Sequence, residues 1–472
     1  MSKIVSEIVD EIATEIFREY DIRGAYPLKL NEPLTVLIGK ALGSEILISG
    51  QHHCYLAWDG RHSSPSLRDA LIQGITSTGC HVKLIGAAPT AVAFWAIKQD
   101  GQSCAMITGS HNPKQDNGIK IAVAGSPRSG EDIQVLLSRI QLNLFNEGTG
   151  QVEDASHLIE DYTSRLTQGL NLQHPLKVVL DAGNGIGGPI AVKALNEMGV
   201  EVIEIACEVD GDFPLHHPDP AKEKNLQWLK EAVIKEQAHM GFALDGDADR
   251  IGVVDNLGKA ILPDRLSLLF IKDILQNPVN EKHKKPTILF DVKCTQQLHE
   301  SITNWGGQAH MIATGHTSMK HAIKQTNALF ATELSGHIIF NDETGLGVDD
   351  GIYAGLRLCQ LLGQQQTSLN TLMSQFPEAL STPEIQVPVK ESEKFSIMSL
   401  VQLHAFKSYS TSHIDGIRIT FPQGWALVRA SNTTACLTLR FEANDAPALQ
   451  NIIKLVRDEL KTLLPNLDLS FQ

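Results

Sequence analysis

The sequence predicts an α/β fold in several domains, and three observations carry that expectation. Short β-rich runs alternate with helical patterns along most of the chain, the layering of α/β proteins rather than all-β or all-α ones. The strand-like runs YLAW, KVVL and TILF each lead into an Asp-headed loop, Asp59-Gly60-Arg61, Asp181-Ala182-Gly183 and Asp291-Val292-Lys293, a recurrence expected of a diverged domain repeat. After about residue 375 the pattern changes to strand, helix, three strands and helix, which reads as a smaller α+β domain containing a meander.

Each repeat also holds a later apolar strand that opens onto a polar loop. CAMITGSHNP ends at Pro113, GFALDGDADR at Arg250 and ALFATELSGH at His337. Ligands in open α/β sheets bind at such carboxyl-terminal strand ends, so the three loops are candidate binding elements. In the last domain EIQVPV precedes the helical SEKFSIMSLVQLHAF. The strands GIRITFP, WALVRAS and CLTLRFEA follow, with Gly416, Pro422 and Gly424 at the turns, and then the helical APALQNIIKLVRDELKTLL. Joints are short, and four units packed around one cleft are expected.

Composition limits the functional classes. A 472-residue chain has room for about three domains at roughly 150 residues each. Hydrophobic residues at 42% and charged residues at 20%, with 37 Gly and 20 Pro, describe an ordinary soluble globular protein and exclude disorder, collagen and coiled coil. No window approaches the roughly 18 apolar residues that span a bilayer. The acid-containing start lacks the basic region and apolar core of a leader, so a cytoplasmic protein is expected. Seven scattered cysteines without a C-x-x-C pair fit neither a disulfide framework nor a zinc ribbon. A net charge of −14 disfavours nucleic acid and anionic membrane as partners, and an anionic substrate would need a local basic pocket.

The loops suggest the chemistry. In DGDADR the carboxylates of Asp245, Asp247 and Asp249 alternate along an extended segment and can converge on one hard cation such as Mg²⁺. An EF-hand needs Gly sixth and Glu twelfth, where this chain has Arg250 and Asn256. In TGSHNP small neighbours leave the Ser110 hydroxyl clear at a strand end, with His111, Asn112 and Lys120 as donors to a phosphate. Alone, such a serine is also a common turn residue. RASNTT, Arg429 to Thr434, offers a guanidinium, hydroxyls, an amide and backbone N–H groups to a dianionic phosphate; the alternative is a polar hairpin loop. ELSGH sets Glu333, Ser335 and His337 around a flexible glycine, a set suited to sugar hydroxyls. Lys293 and His316 are further titratable groups at strand ends, and FREYDIRG places arginines beside Tyr20. A rival comes from GNGIGG at Gly183 to Gly188, whose spacing is that of a dinucleotide loop and would imply an NAD-dependent oxidoreductase. That reading leaves DGDADR, TGSHNP and RASNTT without a role.

With these motifs in this order, the chain resembles the α-D-phosphohexomutase superfamily and within it the bacterial phosphomannomutase/phosphoglucomutases. The likeness runs over nearly the whole sequence, including DGRHSSP, HHPDP, DVKCT and GWALVRASNTT. It implies four domains around a central cleft: three α/β/α domains of shared topology at 1–155, 156–258 and 259–374, and a C-terminal α+β domain at 375–472 resembling the TATA-binding-protein fold. It further implies Ser110 as the phosphoserine, and Asp245, Asp247 and Asp249 with a phosphoserine oxygen as ligands of one Mg²⁺. Glu333, Ser335 and His337 would read the sugar, and Arg429, Ser431, Asn432 and Thr433 would hold the phosphate that is not reacting. Tyr20, Arg23, His111, Lys120, Arg250, Lys293 and His316 match other active-site positions. The implied reaction interconverts hexose 1-phosphate and hexose 6-phosphate through a 1,6-bisphosphate that is both intermediate and activator, in a monomer, with Lys120, His316 and His337 as candidate bases. Phosphoglucosamine mutase is the alternative within the superfamily. Ala248 and Thr332 depart from the pattern, since glycine is usual at both positions.

Overall fold

The computed structural model describes residues 12–277 and 285–469. The chain forms two compact units. One runs to Phe270 and resumes over Leu329–Leu372; the other comprises Ile271–Ala328 and the chain from Met373 onward. No helix among the described residues is long and apolar enough to cross a membrane.

The first unit begins with a mixed sheet. Its parallel centre is His53–Trp58, His81–Ala87 and Ser103–Ile107, flanked on one side by antiparallel Asp116–Val123 and Ile22–Ala25. Ser103–Ile107 and Asp116–Val123 are buried along almost their full length, as strands covered on both faces must be, and this is why they read as apolar runs. Asn31 caps the helix Glu32–Ile48 by accepting from the Leu34 amide at 3.0 Å. A second sheet repeats the plan, with parallel Lys177–Asp181, Glu201–Ile205 and Met240–Leu244 followed by antiparallel Ile251–Asp255. The hairpin Phe330–Thr332 and Ile338–Phe340 supplies a third element. Asp350 caps the helix Gly351–Gln364, which is buried along most of its length. Phe270, Phe330, Phe340 and Tyr353 form an aromatic cluster beneath the hairpin, with neighbouring ring centroids 5.0 to 6.2 Å apart.

In the second unit, parallel Thr287–Asp291 and Gln308–Ile312 are followed by the helices Gln296–Asn304 and His316–Thr326. The C-terminal sheet is the expected meander Ile417–Phe421, Gly424–Ala430 and Cys436–Ala443, with Ile385–Pro388 antiparallel to the last strand. Helices Lys394–His404 and Ala446–Leu463 pack on it through Met398, Val401, Ile452, Val456 and Leu460. Two short edge strands, Leu380–Ser381 and Ser410–Ser412, were not apparent in the sequence, because two or three largely polar residues carry no alternation to read. All seven cysteines are buried thiols.

Candidate active site

The first unit gathers one group of the expected residues. Ser110 follows the strand Ser103–Ile107 in a left-handed conformation, φ 46°, which turns its hydroxyl away from the strand axis. Its Oγ donates to Asp245 Oδ2 at 2.8 Å and lies 3.0 Å from His111 Nδ1. Lys120 stands opposite Met106 on the neighbouring strand, so the ladder register places it beside this loop. Its Nζ donates to Asp247 Oδ2 at 2.7 Å and Asp249 Oδ2 at 2.5 Å. Arg250 bonds Asp245 Oδ1 through its amide at 3.2 Å, and its Nε donates to His337 Nε2 at 3.0 Å. His337 Nδ1 faces Asp349 Oδ2 at 3.3 Å and Asp249 Oδ1 at 3.6 Å. Arg23 Nη1 donates to Asn112 Oδ1 at 2.8 Å.

Charges in this buried group set each other's protonation. Burial alone would lower the pKa of Lys120, which is 3% exposed, yet Asp247, Asp249 and Asp245 outweigh burial and hold it well above the ordinary lysine value. Burial would likewise raise Asp247, but the Lys120 ammonium and the Thr90 hydroxyl hold it well below the usual range. Asp245 is pushed well up by burial and by the two other carboxylates. Burial and the Arg250 charge push His111 well down, so it is neutral.

The Asp triad fits a divalent cation. Asp245, Asp247 and Asp249 offer oxygens within 4.8 Å of one another, and all three are fully buried. Asp247 Oδ1 and Asp249 Oδ1 accept no hydrogen bond among the described residues. Buried carboxylate oxygens left without donors are costly unless a cation meets them, and an all-oxygen set suits a hard one. Ala248 takes the left-handed conformation its motif requires, φ 60°, with an alanine side chain. Thr332 ends its strand, and its hydroxyl meets that of Ser267 at 2.7 Å. In that turn the Glu333 amide donates to the His337 carbonyl, and Ser335 lies half-buried at the tip. Tyr20 is half-buried in the turn between Phe17 and Ile22.

The second unit gathers the remaining residues by itself. Arg429 is the penultimate residue of the strand Gly424–Ala430, and its Nε donates to Asp415 Oδ2 at 3.0 Å; the same oxygen accepts from the Thr314 amide at 3.1 Å. Ser431 Oγ accepts from the amides of Thr433 and Thr434 at 3.3 and 3.1 Å, closing a tight turn with Asn432 and Thr433 at its tip. Asp291 receives the Thr314 hydroxyl at 3.0 Å and lies 3.7 Å from Lys293 Nζ. Arg418 secures the loop bearing Lys293: it donates to the carbonyls of Val292 and Cys294 while its guanidinium lies 3.6 Å over Trp425. Burial pushes the Arg418 pKa down to about 10. His316 begins the helix His316–Thr326 and is half-buried.

Sequence reasoning missed the supporting residues. Arg61, Asp349 and Asp415 contact candidate site residues, and Asp59 accepts from the Gly109 amide next to Ser110. Their only signals were the strand-end position of Asp59-Gly60-Arg61 and the paired Asp349-Asp350 before a helix.

The whole chain has counterparts among known proteins. Models of the phosphoglucomutase/phosphomannomutase family match in order: alpha/beta/alpha domain I at residues 14–146, domain II at 160–258, domain III at 262–380 and the C-terminal domain at 384–459. The chain is 43% identical to the phosphomannomutase/phosphoglucomutase of Pseudomonas aeruginosa over 98% of both chains. It is 40% identical to the phosphoglucomutase of Neisseria meningitidis, covering 93% of this chain and 95% of that one. A crystal structure of a phosphoglucomutase/phosphomannomutase family protein from Burkholderia thailandensis superposes with a TM-score of 0.91 at 37% identity, covering 98% and 100% of the two chains.

Proposed function

From the premise that this chain belongs to the phosphoglucomutase/phosphomannomutase family, we propose that it interconverts hexose 1-phosphates and hexose 6-phosphates of the mannose and glucose series through a phosphoserine at Ser110. The observation that carries the reading is one buried constellation: the Ser110 hydroxyl on Asp245, the Asp triad, and Lys120 across Asp247 and Asp249.

Phosphoryl transfer needs charge neutralisation and in-line positioning more than covalent chemistry by the protein. With phosphate on Ser110, the bond from phosphorus to Ser110 Oγ breaks as a bond forms to O6 of a bound hexose 1-phosphate, giving the 1,6-bisphosphate. After that intermediate turns round, its O1 phosphoryl returns to Ser110 and hexose 6-phosphate leaves. Mg²⁺ held by Asp245, Asp247 and Asp249 together with a phosphoserine oxygen would neutralise charge at the leaving oxygen. Lys120 and Arg250 hold the equatorial oxygens of the transferred group. Lys120, kept protonated by its carboxylates, serves as a charge and not as the base. His337 takes the proton of the attacking hydroxyl at Nε2, which must first give up the hydrogen bond it accepts from Arg250 Nε. The proton lost by the attacking hydroxyl passes to the departing Ser110 Oγ, and Ser110 gives it up again when it takes the O1 phosphoryl, so that O1 leaves as a hydroxyl.

Glu333, Ser335 and His337 read the sugar hydroxyls. Arg429, Ser431, Asn432 and Thr433 hold the other phosphate, with Lys293, His316, Tyr20, Arg23 and His111 completing the sites. The naming of the 43% relative supports mannose and glucose phosphates over glucosamine phosphate. The same reading takes the enzyme as a cytoplasmic monomer with no nucleic-acid or membrane partner, in keeping with its net charge of −14. The divisions 1–155, 156–258, 259–374 and 375–472 are ours on the same basis.

The test is intact mass and peptide mapping of the purified protein, coupled to mutase assays with glucose 1-phosphate and mannose 1-phosphate. Substoichiometric phosphate on Ser110 and loss of most activity in Ser110→Ala are expected. Phosphate mapped only elsewhere, with Ser110→Ala fully active, refutes the assignment.

A further inference from the structure

Arg61 touches no reacting atom in the scheme above, yet every N–H of its guanidinium is committed. Nη1 donates to the carbonyls of Pro113 at 2.6 Å and Asp116 at 2.9 Å. Nη2 donates to those of Ser110 and Asn112, both at 2.7 Å, and Nε to Asp59 Oδ2 at 3.2 Å. Four carbonyls of one short loop thus converge on one side chain that is 1% exposed. Asp59 completes the frame, because the oxygen that meets Arg61 also accepts the Gly109 amide at 3.1 Å. A Cβ on Gly109 would lie 2.5 Å from the guanidinium carbon, so that position admits only glycine. The loop carrying Ser110 is therefore fixed at its entry through Asp59 and along its length through Arg61.

The guanidinium is itself covered from the segment ahead of the HHPDP motif. The Phe213 ring lies 5.2 Å from it, and Phe213 holds the left-handed conformation, φ 48°, that an aromatic residue adopts only under constraint. Its neighbour Asp212 reaches the same serine loop, accepting from Lys114 Nζ at 3.0 Å. Neither contact binds substrate. Both press the serine loop and Arg61 into one arrangement.

We propose that Arg61, locked by Phe213, is the positioning residue for the phosphoryl donor: it holds residues 110–116 in one place whether Ser110 carries its phosphate or has given it up. The inference rests on the reaction proposed above. During turnover Ser110 alternates between a hydroxyl and a doubly charged phosphate beside Lys120 and Arg250. A loop held only by those cations would shift with each change of charge. The carbonyls and the Asp59 carboxylate that hold the guanidinium keep their charge through that change, so the bonds of this frame do not depend on it. A displacement of about 1 Å at a reacting atom costs about 100-fold in rate, so the frame acts on transfer and leaves sugar binding to the other loops.

The experiment is single-turnover quench flow on the full-length phosphoenzyme with Mg²⁺ and glucose 1-phosphate, reading loss of phosphate from Ser110 in wild type, Arg61→Lys, Arg61→Ala and Phe213→Leu. Arg61→Lys, which has no planar fork, is expected to transfer about 100-fold more slowly with its half-saturating sugar phosphate changed by less than about threefold. Guanidinium ion added to Arg61→Ala should restore transfer at least about tenfold where ammonium does not. Phe213→Leu should slow transfer by about threefold to thirtyfold, the range of a buried cation–π contact. Wild-type transfer in Arg61→Lys, or a defect confined to half-saturation, overturns the proposal. If both Arg61 variants fail to fold, an unchanged transfer rate in Phe213→Leu overturns it. A wild-type protein that never passes phosphate from Ser110 to sugar overturns the underlying reaction instead, and this inference with it.

Discussion

Lys120→Met replaces the ammonium at the centre of the site with an isosteric apolar chain and separates two roles of the lysine. In the structure Nζ meets Asp247 at 2.7 Å and Asp249 at 2.5 Å, and all three residues are buried. Removing one member of a buried ion pair leaves uncompensated charge and costs about 3–5 kcal/mol. In chelator the variant should therefore unfold at lower urea by that amount. Mg²⁺ at a hundred times its dissociation constant adds about 2.7 kcal/mol to a protein with a ready site. The variant should recover more than wild type gains, because the cation then supplies the charge that the ammonium supplied. Catalysis should fall by about 10² to 10³, the loss typical of one preorganised donor. The fall should be equal at every pH between about 6 and 9, the outcome for a lysine that acts as a fixed charge and not as a base. Urea titrations with and without Mg²⁺, and kcat against pH, measure all of this. Equal stability of the two proteins in chelator, or a Mg²⁺ gain no larger in the variant, refutes the electrostatic account. Activity recovered at high pH would make Lys120 the base.

Two further outcomes follow from the geometry. In the phosphate-holding role proposed for it, Arg429 would make a charge-assisted contact worth roughly 1.5 to 3 kcal/mol, so Arg429→Ala should lower kcat/KM about 10- to 100-fold in both reaction directions, with Ser110 phosphorylation unchanged; a loss in one direction only would assign it a different role. Burial pushes the Asp350 carboxyl from 3.8 up to about 7, against the Tyr353 amide and Tyr162 hydroxyl that favour its ionised form. A raised folded pKa means stability that is complete below pH 3.8 and lost as pH climbs to about 7. Asp350→Asn keeps the helix cap, so its thermal stability relative to wild type should rise across that interval and level off above it, by roughly 4 kcal/mol at most; parallel pH profiles would count against the buried-acid account.

The parts of the site that could be read from sequence are those whose chemistry is contiguous. Three aspartates at alternate positions form a buried carboxylate cluster readable from their spacing alone, and Ser110 stands beside His111 and Asn112 in sequence as it does in the fold. The supporting residues are different in kind. Arg61 acquires its role only when the carbonyl of Ser110, 49 residues on, folds onto it. Asp415 matters because Thr314 and Arg429 arrive at the same oxygen. The glycines of GNGIGG were ambiguous for the same reason. A Cβ on Gly187 would lie 2.4 Å from that of Ala248, so this glycine is where one loop must pass close to the loop bearing the three aspartates, a demand invisible without the fold.

The burial of the seven cysteines has a practical side. Burial drives the thiols of Cys80 and Cys207 up to about 12 and pushes that of Cys54 well above its ordinary value, so the reactive thiolate is scarce where these residues are least accessible. Thiol-directed dyes and spin labels thus meet an almost silent background in the native enzyme. A cysteine introduced at exposed Leu28 in the first unit, and another at exposed Leu403 in the second, would take up label selectively without removing any natural sulfur. The enzyme comes ready for distance measurements during turnover, with its own sequence otherwise intact.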